Sequence, residues 1–245
     1  MNLNLNTSLR AVADLAFPRC CVACGRDLLL HEKLLCTPCA ADLPLTWYWQ
    51  QRDNPMALRF NERIRDDAPS AFPFGHAAAL LFYGAASPYR NIPQALKYRR
   101  NLRAGRFFAA MLGRLLAASP LFSDVDLVLP VPLHWSRRWW RGYNQAGVIA
   151  RGVAKALPAA RLDTRILRRR RRTGTQTRLQ GAARAENVSG AFRLRRPGRL
   201  GDCRHILIVD DVFTTGATLA ACHRALRVAC GPGVRISVAT LACVR

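Results

Sequence analysis

The sequence predicts an α/β protein with a mostly parallel sheet and a small cysteine-rich module in front of it. From residue 76 onward, short apolar runs typical of buried strands alternate with longer stretches of helical periodicity. Five of the nine cysteines lie within the first 45 residues, which marks that part of the chain as a separate module. The chain has 245 residues, of which 50% are hydrophobic, so it is long enough to bury a sizeable core.

Four apolar runs are predicted to form strands of the sheet, namely residues 77–83, 126–133, 204–209 and 234–242. Prolines end the second run, because a proline cannot donate a hydrogen bond to a neighbouring strand. The longest stretch without polar residues, glycine or proline is about seven residues, whereas a membrane helix needs about 20. We therefore expect no membrane insertion. Because the N-terminus lacks a signal-peptide pattern, we also expect a cytoplasmic protein.

The stretches between these runs are predicted to be helices, namely residues 91–100, 103–118, 143–157 and 218–229. Residues 46–75 mix aromatic residues, charges and three prolines without a clear period, so we interpret them as a connecting segment. The predicted organisation is an N-terminal helix and zinc-ribbon module over residues 1–45, the connecting segment, and an α/β domain over residues 76–245.

The zinc-ribbon interpretation depends on the spacing of four cysteines. Cys21 and Cys24 form one C-x₂-C pair, and Cys36 and Cys39 form a second pair eleven residues later. Two such pairs present four thiolates to one tetrahedral Zn²⁺, which would be a structural ion. Cys20 breaks the spacing and is not expected to be a ligand. The alternative is a set of cysteines that came together by chance.

The charge of the chain is strongly positive. It carries 38 basic and 15 acidic residues, a formal net charge of +23, and from residue 127 onward 23 basic residues face only 5 acidic ones. A field of this sign attracts phosphates, whether on a small molecule or along a nucleic acid. A solubilising surface is the alternative explanation.

Against that positive background, residues 206–218 place two acidic residues side by side, directly after a predicted buried strand. In an open α/β sheet, ligands bind beyond the carboxyl ends of the strands, and the helix that follows offers unpaired N–H groups to an anion. Asp210 and Asp211 can accept hydrogen bonds from vicinal hydroxyls or bind Mg²⁺. The turn after them can hold a phosphate, and the combination suits a sugar phosphate. The residues of that turn are Thr214, Thr215, Gly216 and Thr218.

Several other phosphate-binding and phosphoacceptor motifs are excluded. A Walker A loop requires a lysine that is absent from this block, and no G-x-G-x-x-G follows a strand. A receiver domain also begins with paired acids, but too few residues follow Asp211 to complete its sheet. A purely structural strand and acidic turn remains the alternative.

Three motifs occur in the order known from one family. They are "LPVPLHWSRRWWRGYNQA" (129–146), "RTGTQTRLQGAARAENVSGAF" (172–192) and "VDDVFTTGATL" (209–219). The last resembles the phosphoribosyl diphosphate (PRPP) loop of type I phosphoribosyltransferases. The ordered set resembles the ComF family of competence-related proteins, which also carries an N-terminal zinc-binding module. The resemblance implies the parallel sheet of the type I phosphoribosyltransferases.

The resemblance also implies roles for individual residues. Asp210 and Asp211 would hold the ribose hydroxyls of PRPP, which is bound together with Mg²⁺, and they are the catalytic candidates. The 5′-phosphate would lie against the turn formed by Thr214, Thr215, Gly216 and Thr218. The diphosphate loop and the flap over the reacting centre would contain Arg137, Arg138, Arg141, Thr173, Gln176, Arg184 and Asn187. One departure is Tyr143, where the family has phenylalanine.

The implied function is PRPP binding in natural competence, DNA uptake or nucleotide metabolism, with single-stranded DNA and DNA-uptake proteins as partners. Sugar transfer stays open, because the fold also serves proteins that bind PRPP or nucleotides without transferring the sugar. No residue identifies a nucleophile for the anomeric carbon. Two alternatives are a non-catalytic single-stranded DNA-binding protein that keeps only the fold and a phosphoribosyltransferase that salvages bases.

Overall fold

A five-stranded parallel sheet forms the centre of the molecule, as the sequence predicts. The computed structural model describes residues 18–65, 73–98, 101–133, 142–169 and 191–244. The strands are β1 (Ala77–Tyr83), β2 (Leu127–Pro130), β3 (Arg161–Leu162), β6 (His205–Phe213) and β7 (Arg235–Val244), in the spatial order β1-β7-β6-β2-β3. Two further strands, β4 (Leu167–Arg169) and β5 (Phe192–Leu194), form an antiparallel pair beside the sheet.

The central strands are buried on both faces, which explains why they appear in the sequence as continuous apolar runs. In β6, the residues from Ile206 to Val209 have no exposed surface. β6 continues four residues beyond its predicted end at residue 209. Asp210 and Val212 pair with Thr240 and Ala242 of β7, so the strand extends through the two acidic residues.

Helices cover both faces of the sheet. In the described part of the chain they are α1 (Thr37–Ala41), α2 (Pro55–Arg65), α3 (Asn91–Lys97), α4 (Leu102–Ala117), α5 (Gln145–Ala156) and α6 (Ala217–Arg227). On one face, α3, α4 and α5 share an apolar core with residues of the cysteine module. On the other face, α2 and α6 pack with the β4–β5 pair. Among the residues with described structure, no helix combines the length and apolar character that a bilayer crossing requires.

Helix α2 was not predicted. It lies within the segment interpreted as a connection, and it buries Met56, Phe60 and Ile64 against the sheet. Its buried side also contains Asn61, whose amide donates to the backbone oxygen of Gly75 and accepts from the Gly75 N–H. Met56, Phe60 and Ile64 recur at i, i+4 and i+8, so the sequence did contain a signal for this helix. The division into residues 1–45, 46–75 and 76–245 stays a prediction.

The connections create a crevice between β2 and β6. The chain leaves β2 and returns through α5 on one face, whereas it leaves β6 and returns through α6 on the opposite face. Adjacent parallel strands whose connections diverge in this way form a topological switch point, at which open α/β sheets bind ligands. Asp210 and Asp211 lie near the carboxyl end of β6, on this crevice.

Candidate functional site

Two adjacent acidic residues lie near the end of β6. Asp210 and Asp211 are half-buried, and the N–H of Asp211 donates a 2.9 Å hydrogen bond to Oδ1 of Asp210. Burial and, second, the charge of Asp211 raise the pKa of Asp210 from 3.8 to about 7, although the charges of Lys97 and Arg169 lower it. Asp210 is therefore divided between its charged and neutral forms near neutral pH. A bound cation would favour the charged form.

An ion pair with Lys97 holds Asp211. Nζ of Lys97 lies 3.1 Å from Oδ1 of Asp211, and the two side chains are 24% and 15% exposed. Lys97 is the last residue of α3, on the face of the sheet that carries the cysteine module. No motif in the sequence places Lys97 near the acidic pair. Its only signal was its rarity, because three of the 38 basic residues are lysines.

The turn after β6 forms a small cavity that leads into α6. Gly216 has φ +75°, and a Cβ atom at this position would lie 2.8 Å from the ring of Phe213, so a glycine is required for both reasons. The N-cap residue of α6 is Gly216, which has no side chain to cap the helix, and the N–H of Ala217 has only a long contact of 3.5 Å to Oγ1 of Thr215, so the first N–H groups of α6 can bind an anion. The cavity is lined by Asp210, Val212, Phe213, Thr214, Thr215, Gly216, Ala217, Thr218 and Leu219.

A second cation approaches Asp210 from the β4–β5 pair. Arg169 is the last residue of β4, and its guanidinium lies 5.3 Å from the ring centroid of Phe192 on β5. Its charge lowers the pKa of Asp210. Arg169 belongs to the arginine run of the sequence, but its proximity to the acidic pair follows only from the fold.

The remaining predicted PRPP contacts lie outside the described residues. These are Arg137, Arg138, Arg141, Thr173, Gln176, Arg184 and Asn187. The chain on either side of the first group is described, and it leads from β2 into α5 at the crevice. Helix α5 also begins without a side-chain cap among the described residues. Two helix N-termini therefore face the switch point from the ends of β2 and β6.

The four predicted zinc ligands come together. The sulfur atoms of Cys21, Cys24, Cys36 and Cys39 lie within 4.8 Å of one another. Sγ of Cys24 lies 3.7 Å from Sγ of Cys36. A tetrahedral ion with Zn–S bonds of about 2.3 Å would separate its sulfur ligands by about 3.8 Å, so the group can hold a zinc ion. Cys20 is exposed and does not belong to the cluster.

Backbone hydrogen bonds prepare one of these thiols for metal binding. Burial raises the pKa of Cys21, but hydrogen bonds from the backbone of Cys24, Cys36 and Ala23 outweigh it and bring the pKa to about 7. The thiolate is the form that binds a metal. Gly25, with φ +80°, provides the turn after the first cysteine pair.

Glu32 organises the loop between the two cysteine pairs. Its carboxylate accepts hydrogen bonds from the N–H of Leu29 at 2.8 Å and from the N–H and hydroxyl of Thr37 at 2.5 and 2.8 Å. These bonds lower the pKa of Glu32. Thr37 directly follows Cys36, so this carboxylate fixes the backbone of the second pair. No motif in the sequence indicates this role for Glu32.

Comparison with known proteins identifies relatives over about half of the chain. A DNA utilization protein YhgH of Escherichia coli O6:H1 is 34% identical over 142 residues, which are 55% of this chain and 59% of that protein. A YhgH of Salmonella typhi is 40% identical over 119 residues, which are 46% of this chain and 51% of that protein. Competence protein F of Haemophilus influenzae is 36% identical over 102 residues, which are 42% and 44% of the two chains. No family model matches the chain.

These similarities support the predicted resemblance to the ComF family. The chain spans about half the length of the curated relatives it matches. The ComF pattern of paired acids before a threonine- and glycine-rich turn lies at the junction of β6 and α6. The four cysteines of the predicted zinc-binding module form the cluster described above, which can hold a zinc ion.

Proposed function

We propose that the protein binds PRPP with Mg²⁺ at the end of β6 and serves in DNA utilization or natural competence. One observation carries the first part of this proposal: a single cavity is lined both by Asp210 and by the start of α6, whose N-cap residue is Gly216. A ligand that uses both ends needs hydroxyl groups at one end and an anion at the other. A pentose phosphate has this arrangement.

Different residues bind the phosphate and the ribose of the ligand. The first N–H groups of α6 and the hydroxyls of Thr214, Thr215 and Thr218 bind the 5′-phosphate, because the helix dipole and the unpaired donors favour an anion. Asp210 and Asp211 accept hydrogen bonds from the ribose hydroxyls. Mg²⁺ would neutralise the diphosphate of the ligand, and the basic surroundings add to this effect.

Titration calorimetry tests this assignment. PRPP is added to the wild-type protein with and without Mg²⁺, and then to Asp210→Asn and Asp211→Asn. Binding is expected to require Mg²⁺ and to weaken at least about tenfold in each variant, since each loses a charged acceptor. Asp202→Asn removes the same charge from an exposed position and is expected to bind like wild type. Unchanged affinity in both site variants would refute the assignment.

The names of the relatives support the wider role. Two are called DNA utilization proteins and one is called Competence protein F. The excess of basic residues from residue 127 onward suits a polyanionic partner.

A second candidate function, single-stranded DNA binding, is favoured by an unusual strand pair. Arg168 of β4 lies directly opposite Arg193 of β5, and both side chains are exposed. Like charges in this position destabilise a strand pair by a few tenths to about 1 kcal/mol. Arg165, Arg195 and Arg196 are exposed nearby. A phosphodiester backbone along this surface would neutralise the repulsion.

A pair of double variants tests this candidate. Arg168→Ala/Arg193→Ala is compared with Arg106→Ala/Arg114→Ala, which removes the same charge from the exposed side of α4. Oligo-dT affinity is measured against salt concentration. The first variant is expected to lower the salt slope by about 1.4, since two phosphate contacts are lost, without lowering the melting temperature. Equal losses in both variants would mean that only the net charge matters.

A further inference from the structure

The cysteine cluster and the Lys97–Asp211 ion pair lie on the same face of the sheet, and α3 joins them. Helix α3 is seven residues long, which is about 10 Å at 1.5 Å per residue. Its first residue is Asn91 and its last residue is Lys97. The first end contacts the cysteine module, and the last end contacts Asp211.

Both cysteine pairs are attached to the start of α3. Nδ2 of Asn91 donates a 2.7 Å hydrogen bond to the backbone oxygen of Ala23, which lies inside the first pair. The hydroxyl of Tyr89, in the turn directly before α3, donates a 3.3 Å hydrogen bond to the backbone oxygen of Cys39 in the second pair. A zinc ion bound by the four cysteines would hold both pairs, and therefore these two oxygens, in place.

Apolar packing makes the attachment rigid. Ile92 and Leu96 of α3 have 1% and 0% of their surface exposed, and they belong to the same buried cluster as Cys36 and Val22 of the module. The hydroxyl of Tyr143 donates a hydrogen bond to the backbone oxygen of Leu96, at the far end of the helix. A displacement of the module would therefore move α3 as a unit.

We propose that the zinc module positions Lys97 through α3, so that Lys97 is a positioning residue that orients Asp211 for the sugar phosphate. The inference rests on the proposed function, because it assigns a task to Lys97 at the PRPP site. It makes the metal site and the ligand site a coupled pair. By thermodynamic reciprocity, a ligand held by Asp211 then stabilises the zinc site by the same factor by which zinc strengthens ligand binding.

The coupling is measured by a double-variant cycle in the full-length, zinc-loaded protein. Tyr89→Phe releases the contacts of its hydroxyl with the Cys39 oxygen and the Asp42 carboxylate, and Tyr89→Phe/Asn91→Ala also releases the contact with the Ala23 oxygen. Each is expected to weaken Mg²⁺–PRPP binding in calorimetry, the double variant by about fivefold, which is the low end of typical coupling. In the Lys97→Met background the same changes are expected to have less than about a twofold effect. Equal effects in both backgrounds would overturn the proposal.

Ser237→Ala is the matched control for lost stability. It removes the buried contacts of its hydroxyl with His205 and His76 at the amino-terminal ends of β6 and β7, and it leaves α3 untouched. Its affinity for PRPP is expected to equal that of wild type. A loss as large as that of the Tyr89 and Asn91 variants would mean that any destabilisation weakens the site, and the proposal would fail.

Zinc release in the ligand-free protein provides a readout that does not involve PRPP. The rate of zinc transfer to the chelator 4-(2-pyridylazo)resorcinol is expected to rise about twofold or more in Lys97→Met and in Asp211→Asn, but not in Asp202→Asn. If wild type binds no PRPP while these rates rise, the proposed function fails and the coupling stands. If the rates do not change, the coupling fails, whatever the result with PRPP.

Discussion

At the scale of single residues, the two adjacent acids of β6 have different surroundings. Lys97 forms an ion pair with Asp211, whereas Asp210 lines the cavity and has its pKa raised to about 7 by burial and by the charge of Asp211. The protein therefore holds an acid at the candidate site at a cost in stability. The stability of a variant without the Asp210 charge tests whether this cost exists.

Asp210→Asn is expected to stabilise the ligand-free protein at pH 8. The raised pKa means that the folded state binds more protons than the unfolded state between about pH 3.8 and 7, so the contribution of Asp210 to stability falls as the pH rises. The variant avoids this loss and keeps the oxygen that accepts from the N–H of Asp211. We expect a gain of about 1–2 kcal/mol at pH 8, or several degrees in melting temperature, and almost none at pH 4. A lower melting temperature at pH 8 would contradict the pKa shift.

Gly216→Ala is expected to weaken PRPP binding at least about tenfold, because a Cβ at this positive φ meets the ring of Phe213 and displaces the start of α6. Calorimetry with Mg²⁺–PRPP measures the loss. Gly231, after the other end of α6, has open space around its Cα and an ordinary φ. Gly231→Ala is therefore the matched control, and equal affinities in the two variants would remove Gly216 from the site.

At the scale of elements, the sequence predicted those whose signals are local. β1 has its predicted bounds, and the other predicted strands and helices differ from the structure mainly at their ends. The spacing of four cysteines predicted their cluster, because two short C-x₂-C turns each bring two thiols together. Helix α2 has a comparable local signal, since Met56, Phe60 and Ile64 recur at helical spacing, but it lies in the segment that was interpreted as a connection.

The loop of the zinc module is expected to depend on Glu32. Glu32→Ala removes the acceptor of the N–H groups of Leu29 and Thr37, so the loop between the two cysteine pairs is expected to become less stable. Zinc transfer to a chelator is expected to become faster. Asp27→Ala, an exposed carboxylate of the same module, is the control. Equal release rates in the two variants would show that Glu32 does not hold the loop.

At the scale of the whole molecule, a buried polar network joins elements that are distant in the chain. Oγ of Ser237 lies 2.7 Å from Nε2 of His205, and Nδ1 of His205 lies 2.6 Å from Oδ1 of Asp124. The N–H of His76 donates to the same Oγ at 3.0 Å. The order of groups resembles a hydrolase triad, but Ser237 has 0% of its surface exposed, so no substrate can reach it. The network is structural.

Stability is expected to fall below about pH 6.5, the ordinary pKa of histidine. Burial lowers the pKa of His76 to about 4 and that of His223 to about 3, and it also lowers that of His205. The unfolded state then binds more protons than the folded state, so stability is lost as the pH falls. Even after the opposite effect of Asp210, we expect a loss on the order of 2 kcal/mol between pH 6.5 and 5.

Chemical denaturation at several pH values measures this loss. His223→Gln is expected to flatten the pH dependence, whereas His31→Gln, at an exposed histidine, is expected to leave it unchanged. Because both variants contain the same cysteine cluster, protonation of zinc ligands does not affect their difference. Identical curves would mean that His223 is not held neutral.

The sequence by itself determined the alternation of strands and helices, the cysteine cluster, and the acidic pair with its glycine turn. These features depend on residues within about a dozen positions of one another, and the types of their side chains indicate their chemistry. Only the tertiary structure decided that Lys97 pairs with Asp211, that Arg169 approaches Asp210, and that α3 links the cysteine cluster to the acidic site. Coulomb forces and burial act through space, so partners far apart in the chain leave no pattern in its order.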